Sequence, residues 1–120
     1  MHPKSLKWLE DIIDSCAQID DWTSEATLAG YSENTMLRAA VERSFEIIGE
    51  ALVRLERVDP KTAASISDYR QIIGFRNRLA HNYDDTDHQQ VWKIIHDFLP
   101  ILRQEAEHLL AHEFTDSTDR

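Results

Sequence analysis

IIGFRNRLAHNYDDTD, from Ile72 to Asp87, is the stretch whose reading decides the fold. Tyr69, Ile72, Ile73, Leu79, Ala80 and Tyr83 recur at the three- and four-residue spacing of one buried helix face, which predicts a helix over about Asp68 to Asn82. Arg76 breaks the stripe, four residues after Ile72 and three before Leu79. A guanidinium there is costly unless it is paired or opens onto a wet cleft. At about 100° per residue, Tyr83 falls about 20° from Arg76 on the helix wheel and His81 about 140° away. Asn82, Asp84 and Asp85 are helix-ending residues, so the backbone can break there and redirect His81.

The stretch thus gathers a permanent cation, an imidazole and a phenol at one helix terminus. Two readings stay open for Arg76 from the residues alone. It is either a structural ion-pair partner of Glu42, Glu46 or Glu50, or part of a site.

The 120 residues leave room for one domain with a core large enough to fold unaided. With 42% hydrophobic and 29% charged residues, the chain reads as globular. The single cysteine, Cys16, excludes an internal disulfide and a cysteine-based zinc site, and its place on an apolar stripe predicts an inert buried thiol. MHPKSLKWLEDIID lacks the apolar run of a secretory leader, and no segment approaches the roughly 20 apolar residues of a membrane span. A cytoplasmic location with no membrane partner is expected. Net charge is −9, which argues against unspecific nucleic-acid binding. Locally, Arg70, Arg76 and Arg78 are the only charged residues between Tyr69 and Tyr83, a basic spot suited to a phosphate.

Three glycines and three prolines leave little turn chemistry for a β fold. A first helix is expected from about Lys4 to Ile19, with Leu6, Leu9, Ile12, Ile13, Cys16 and Ile19 as its stripe and Trp8 and Trp22 at its margin. A link from Asp20 to Thr35 follows, with Ser32 or Asn34 as N-cap of a second helix that runs to about Arg57. Gly49 inside that helix predicts close approach of another backbone. Asp59-Pro60 begins a short helical turn, and Thr86 or Asp87 caps a fourth helix in which Pro100 predicts a kink or split near Leu99. The architecture expected is all-α, an antiparallel bundle of four to five helices over residues 1–112, with 113–120 a frayed polar tail.

Other chemistry is weak. His108 and His112 lie four apart on one helix face without a zinc pattern around them, so a solvated face is expected and no metal site. Asp84, Asp85 and Asp87 could hold magnesium or, more simply, end one helix and cap the next. There is no Gly-rich phosphate loop and no nucleophile elbow. Arg76 with His81 remains, a pair suited to RNA cleavage through the 2′-hydroxyl: histidine moves the proton and arginine holds the phosphate.

RNRLAHNY, Arg76 to Tyr83, resembles the R-N-x-x-x-H-x-Y motif of the HEPN superfamily, specifically its HepT-like toxins. AVERSFEIIGEAL at 40–52 resembles the family's second-helix signature, and IIGFRNRLAHNYDDTDHQQVW at 72–92 its third helix and the start of the fourth. One departure is visible: Ser67-Asp68-Tyr69 replaces a Pro-Trp pair common before the third helix, with Tyr69 expected in the tryptophan's place. The resemblance implies a HEPN-like homodimer acting as a metal-independent ribonuclease toxin on tRNA or mRNA, with no cofactor. It implies Arg76 and His81 as catalytic residues and Asn77 as their polar support. Arg70 and Arg78 are expected to add phosphate contacts. A nucleotidyltransferase antitoxin of the MNT type is the implied partner, with Tyr83 as a candidate acceptor of AMP. The rival readings are a non-catalytic module that docks such a nucleotidyltransferase, and a plain structural bundle.

Overall fold

The computed structural model describes residues 1–81 and 87–118, with side chains described as far as His112. Seven helices account for nearly all of this, and no strand occurs among the described residues. They are α1 (Pro3–Thr23), α2 (Leu28–Glu33), α3 (Thr35–Val58), α4 (Pro60–Ala64), α5 (Tyr69–His81), α6 (His88–Asp97) and α7 (Leu99–Thr118). The α3 helix is the central rod, packing on α1 and α5, while α7 covers the other side of α1. No described helix is long and apolar enough to cross a membrane.

The helix starts follow their caps. Asn34 Oδ1 accepts from Leu37 N at 3.0 Å, and Asp87 Oδ1 accepts from Gln89 N and Gln90 N. Asp59 caps α4 and does more: its carboxylate also accepts from His2 N and Ser5 Oγ, tying the start of α1 to the start of α4. Burial alone would raise the Asp59 pKa, but the donations from His2, Thr62 and Ser5 outweigh it and lower it to about 2. The expected break at Pro100 is a full split, with α6 closing at Phe98 and α7 restarting at Leu99.

The core contains the expected stripes of α1 and α3, including Leu9, Ile12, Ile19, Val41, Ile48, Leu52 and Leu55, all fully buried. Cys16 lies among them, and burial pushes its thiol up to about 12. Trp8 packs at the core's margin, whereas Trp22 is exposed. The segment expected as a plain link contains α2, whose N-cap Thr27 accepts from Gly30 N. The α2 helix inserts Tyr31, fully buried, with its ring 5.5 Å from that of Trp92 on α6. Six residues with an interior Gly30 present no periodic stripe, so only packing against α3 and α6 reveals this helix.

Candidate functional site

The α5 helix begins after Asp68, whose backbone is left-handed at φ 58°, a conformation that aspartate tolerates better than most residues. Glu105 on α7 accepts from Ser67 N and Ser67 Oγ and so anchors this entry. Tyr69 is partly buried against the core, at the edge where it was expected. The buried residues of α5 are Ile72 and Phe75, and the Phe75 ring meets that of Phe45 edge-on at 5.0 Å. Phe75 was absent from the predicted stripe. Its burial shifts the face so that Arg76 lies at the margin, where its stem packs and its guanidinium reaches water.

Gly49 is what admits that stem. A Cβ built at position 49 would fall 2.5 Å from Arg76 Cβ, closer than side-chain atoms approach one another, and a tight 3.1 Å from its Cδ. The close approach expected at Gly49 therefore exists, but the approaching group is an arginine stem rather than a second backbone. Beyond the stem, Arg76 Nη2 donates to Glu50 Oε2 at 3.1 Å and Nη1 to Asn77 Oδ1 at 2.9 Å. Glu50 Oε1 accepts in turn from Arg54 Nε at 3.0 Å. The head of Arg76 is thus oriented by two acceptors with N–H groups to spare.

This head opens on a groove of about 930 Å³ between α1, α3 and α5. Asp11, Glu42, Glu46 and Glu50 line it, against Lys7, Arg43, Arg54 and Arg76. The basic spot seen along the chain is accordingly partly neutralised in space. Arg76 meets Glu50, and Arg70 meets Glu56 at 3.5 Å. Arg78 has no ion pair among the described residues and opens on a different cavity, between α5 and α6.

His81 is exposed at the last turn of α5. Among the described residues no hydrogen bond or ion pair joins it to Arg76, as expected from their separation on the helix wheel. Asn77 is exposed beside Arg76. Tyr83, Asp84 and Asp85 lie outside the described residues, while Asp87 serves as the cap of α6. His108 and His112 stack edge-on at 4.3 Å on an exposed face of α7. Among the described residues, no group of three or more His, Cys, Asp or Glu side chains could hold a metal ion.

Comparison with known proteins places the chain. The family profile described as Ribonuclease HepT-like matches residues 12–109, which include all of α2 to α6. A protein of Methanocaldococcus jannaschii that carries the provisional name RNase is 32% identical over 100 residues, 83% of this chain and 91% of that one. A Thermococcus cleftensis protein, provisionally named ribonuclease HepT, is 29% identical over 102 residues, covering 85% of this chain and 92% of that one. A third, from Caldanaerobacter subterraneus and also provisionally named RNase, is 26% identical over 106 residues, 88% and 94% of the two chains. No solved structure matches the chain significantly. Matched over most of its length, the chain belongs to the family described as Ribonuclease HepT-like, of the HEPN superfamily.

Proposed function

We propose that the chain is a metal-independent endoribonuclease in which Arg76 and His81 act on the RNA backbone. The observation that carries this reading is the mounting of Arg76. Its stem is seated against Gly49, its head is oriented by Glu50 and Asn77 with N–H groups that no described residue takes up, and it lines an open groove. An arginine kept only for stability has no need of such a groove. In the reaction, His81 removes the proton of a ribose 2′-hydroxyl, and the 2′-oxygen attacks the adjacent phosphorus. The bond from phosphorus to the 5′-oxygen breaks, and the departing oxygen takes up a proton returned by imidazole. Arg76 stabilises the charge that develops on the phosphoryl oxygens. The products are a 2′,3′-cyclic phosphate and a 5′-hydroxyl.

Arg76 and His81 lie about 140° apart on one helix, so a two-fold pair of chains is the simplest way to bring both to one phosphate. We propose that homodimer, with the motifs of both copies lining one cleft and Arg70 and Arg78 as outlying phosphate contacts. The resemblance of the Arg76–Tyr83 motif to HepT-like toxins is the ground for proposing a toxin role, neutralised by a nucleotidyltransferase antitoxin. AMP transferred to Tyr83, seven residues after Arg76 in the chain, would add negative charge and bulk that compete with substrate phosphate.

The test is cleavage of total tRNA and mRNA in chelator by wild type, His81→Ala and Arg76→Ala, with intact mass used to select protein unmodified at Tyr83. Cleavage that leaves cyclic phosphate ends and disappears in both variants is the expected result. Folded, unmodified wild type that cleaves no RNA would instead favour a non-catalytic module that binds the nucleotidyltransferase. In that case Arg76 keeps its groove as a docking point for a partner's phosphate.

A further inference from the structure

Across α5 from Arg76 lies a second, smaller cavity of about 200 Å³, formed where α5 packs beside α6. Its floor is apolar: Ile72, Phe75 and Ile94 are buried, and Phe98 is half-buried. Its rim is polar, with Gln71 and Arg78 from α5 and Gln90 and Lys93 from α6, all exposed. The Arg78 guanidinium carbon stands 5.9 Å from the centre of the Phe75 ring, so the cation is stacked over the floor and not folded away from it.

The charge distribution separates this cavity from the Arg76 groove and from the one between α1 and α7. On a chain of net charge −9, no carboxylate among the described residues lines it, whereas four line the Arg76 groove and Asp20 and Glu107 line the cavity between α1 and α7. Arg43, Arg54, Arg70, Arg76 and Arg103 each have a carboxylate partner. Arg78 and Lys93 have none among the described residues, so an incoming anion displaces no described carboxylate there. The volume falls below the roughly 300 Å³ at which drug-sized sites begin, which suits a single planar base with its phosphate at the rim.

The position along α5 adds a functional direction. Arg76 and Arg78 point to opposite sides of the helix, about 200° apart, but His81 follows Arg78 by three residues and is its surface neighbour. The rim at Arg78 therefore lies on the side of α5 that carries the imidazole.

We propose that the α5–α6 groove is a nucleotide subsite for single-stranded RNA, in which Arg78 and Lys93 hold a backbone phosphate and the apolar floor receives the base. The amides of Gln71 and Gln90 are placed to meet base edges. This rests on the ribonuclease reading, and it assigns that enzyme a subsite adjoining His81. The groove selects unpaired RNA, because a base inside a duplex cannot leave its stack to reach the floor.

The test is fluorescence anisotropy with a short single-stranded 2′-O-methyl RNA and its abasic counterpart, on wild type, the double variant Arg78→Ala/Lys93→Met, and Arg57→Ala as a charge control. Both substituted side chains are exposed, so the fold persists in the variant. Expected are binding weakened roughly tenfold in the double variant and a log–log salt slope shallower by about 0.7, the contribution of one single-strand phosphate. The abasic strand should lose affinity in wild type and little more in the variant. Equal binding by the double variant and wild type, or an equal loss in Arg57→Ala, overturns the subsite. So does a changed molar mass of the variant by light scattering, which assigns the groove to contact between copies. Cleavage by the double variant with unchanged KM overturns the subsite and leaves the ribonuclease reading standing, whereas tight wild-type binding without cleavage does the reverse.

Discussion

Gly49 and Arg76 occupy one volume: the place where a side chain at 49 would begin is filled by the stem of Arg76. The atoms in conflict belong to the base of that stem, so α3 and α5 must separate before even a methyl group fits. Gly49→Ala gains helix propensity of about 1 kcal/mol but loses this contact. The net expectation is a loss of about 1–3 kcal/mol in stability together with a fall of tenfold or more in kcat, as Arg76 leaves its two acceptors. Urea denaturation and single-turnover cleavage check the two parts. Full activity in the alanine variant would detach Arg76 from the site.

The ion pair of Arg76 with Glu50 separates a structural role from a functional one. The side chains are 31% and 44% exposed, and pairs so open to water contribute about 0–1 kcal/mol. Loss of the pair in Arg76→Ala should therefore cost no more than about 1 kcal/mol, with a further loss from the stem packed on Gly49, while cleavage is abolished. Glu50→Gln should keep the hydrogen bond, lose the charge and retain part of the activity. A loss of several kcal/mol in Arg76→Ala, with cleavage proportional to the folded fraction, would return the residue to a purely structural role.

Asp59 makes stability depend on acid. Its folded pKa of about 2 lies below the unfolded value of about 3.9. The carboxylate therefore contributes stability that is complete above about pH 4 and is lost as pH falls towards 2. Asp59→Ala should lower stability at neutral pH by about 0.5–2 kcal/mol, through loss of the α4 cap and its bonds to His2 and Ser5. The gap between variant and wild type should narrow across that acid range, as followed by denaturant titrations at several pH values. A constant gap would mean that the proton does not act at Asp59.

Cys16 should be chemically silent in the folded chain. It is 2% exposed, with its thiol held up at about 12. Alkylation by iodoacetamide at neutral pH should then proceed only through unfolding, at least a hundredfold slower than for an exposed cysteine, and accelerate with urea. Mass spectrometry over time measures this. Rapid labelling without denaturant would show that α1 and α7 part readily.

Much of this architecture is legible from local chemistry. Asn34, Asp59-Pro60 and Asp87 mark helix starts because capping is an interaction between neighbours in sequence, and the stripes of α1 and α3 follow from periodicity. Tyr31 shows the limit. It is among the largest fully buried side chains, yet it sits on a six-residue helix too short for a pattern, and only α3 and α6 give it a place. Phe75 was missed for a related reason: the apolar arc of α5 is broad, and the facing Phe45 decides which edge is buried.

By itself the sequence determined the order of the helices other than α2, the motif from Arg76 to Tyr83 and the family to which they belong. Tertiary structure alone decided which cations stay free. Arg76 and Glu50 are 26 residues apart, and no local rule pairs them. Three arginines that look alike along α5 become one seated and paired, one paired at the helix entry, and one left open over an apolar floor. The physical reason is that electrostatic partners are chosen by the packing of whole helices, which residue spacing within one helix does not contain.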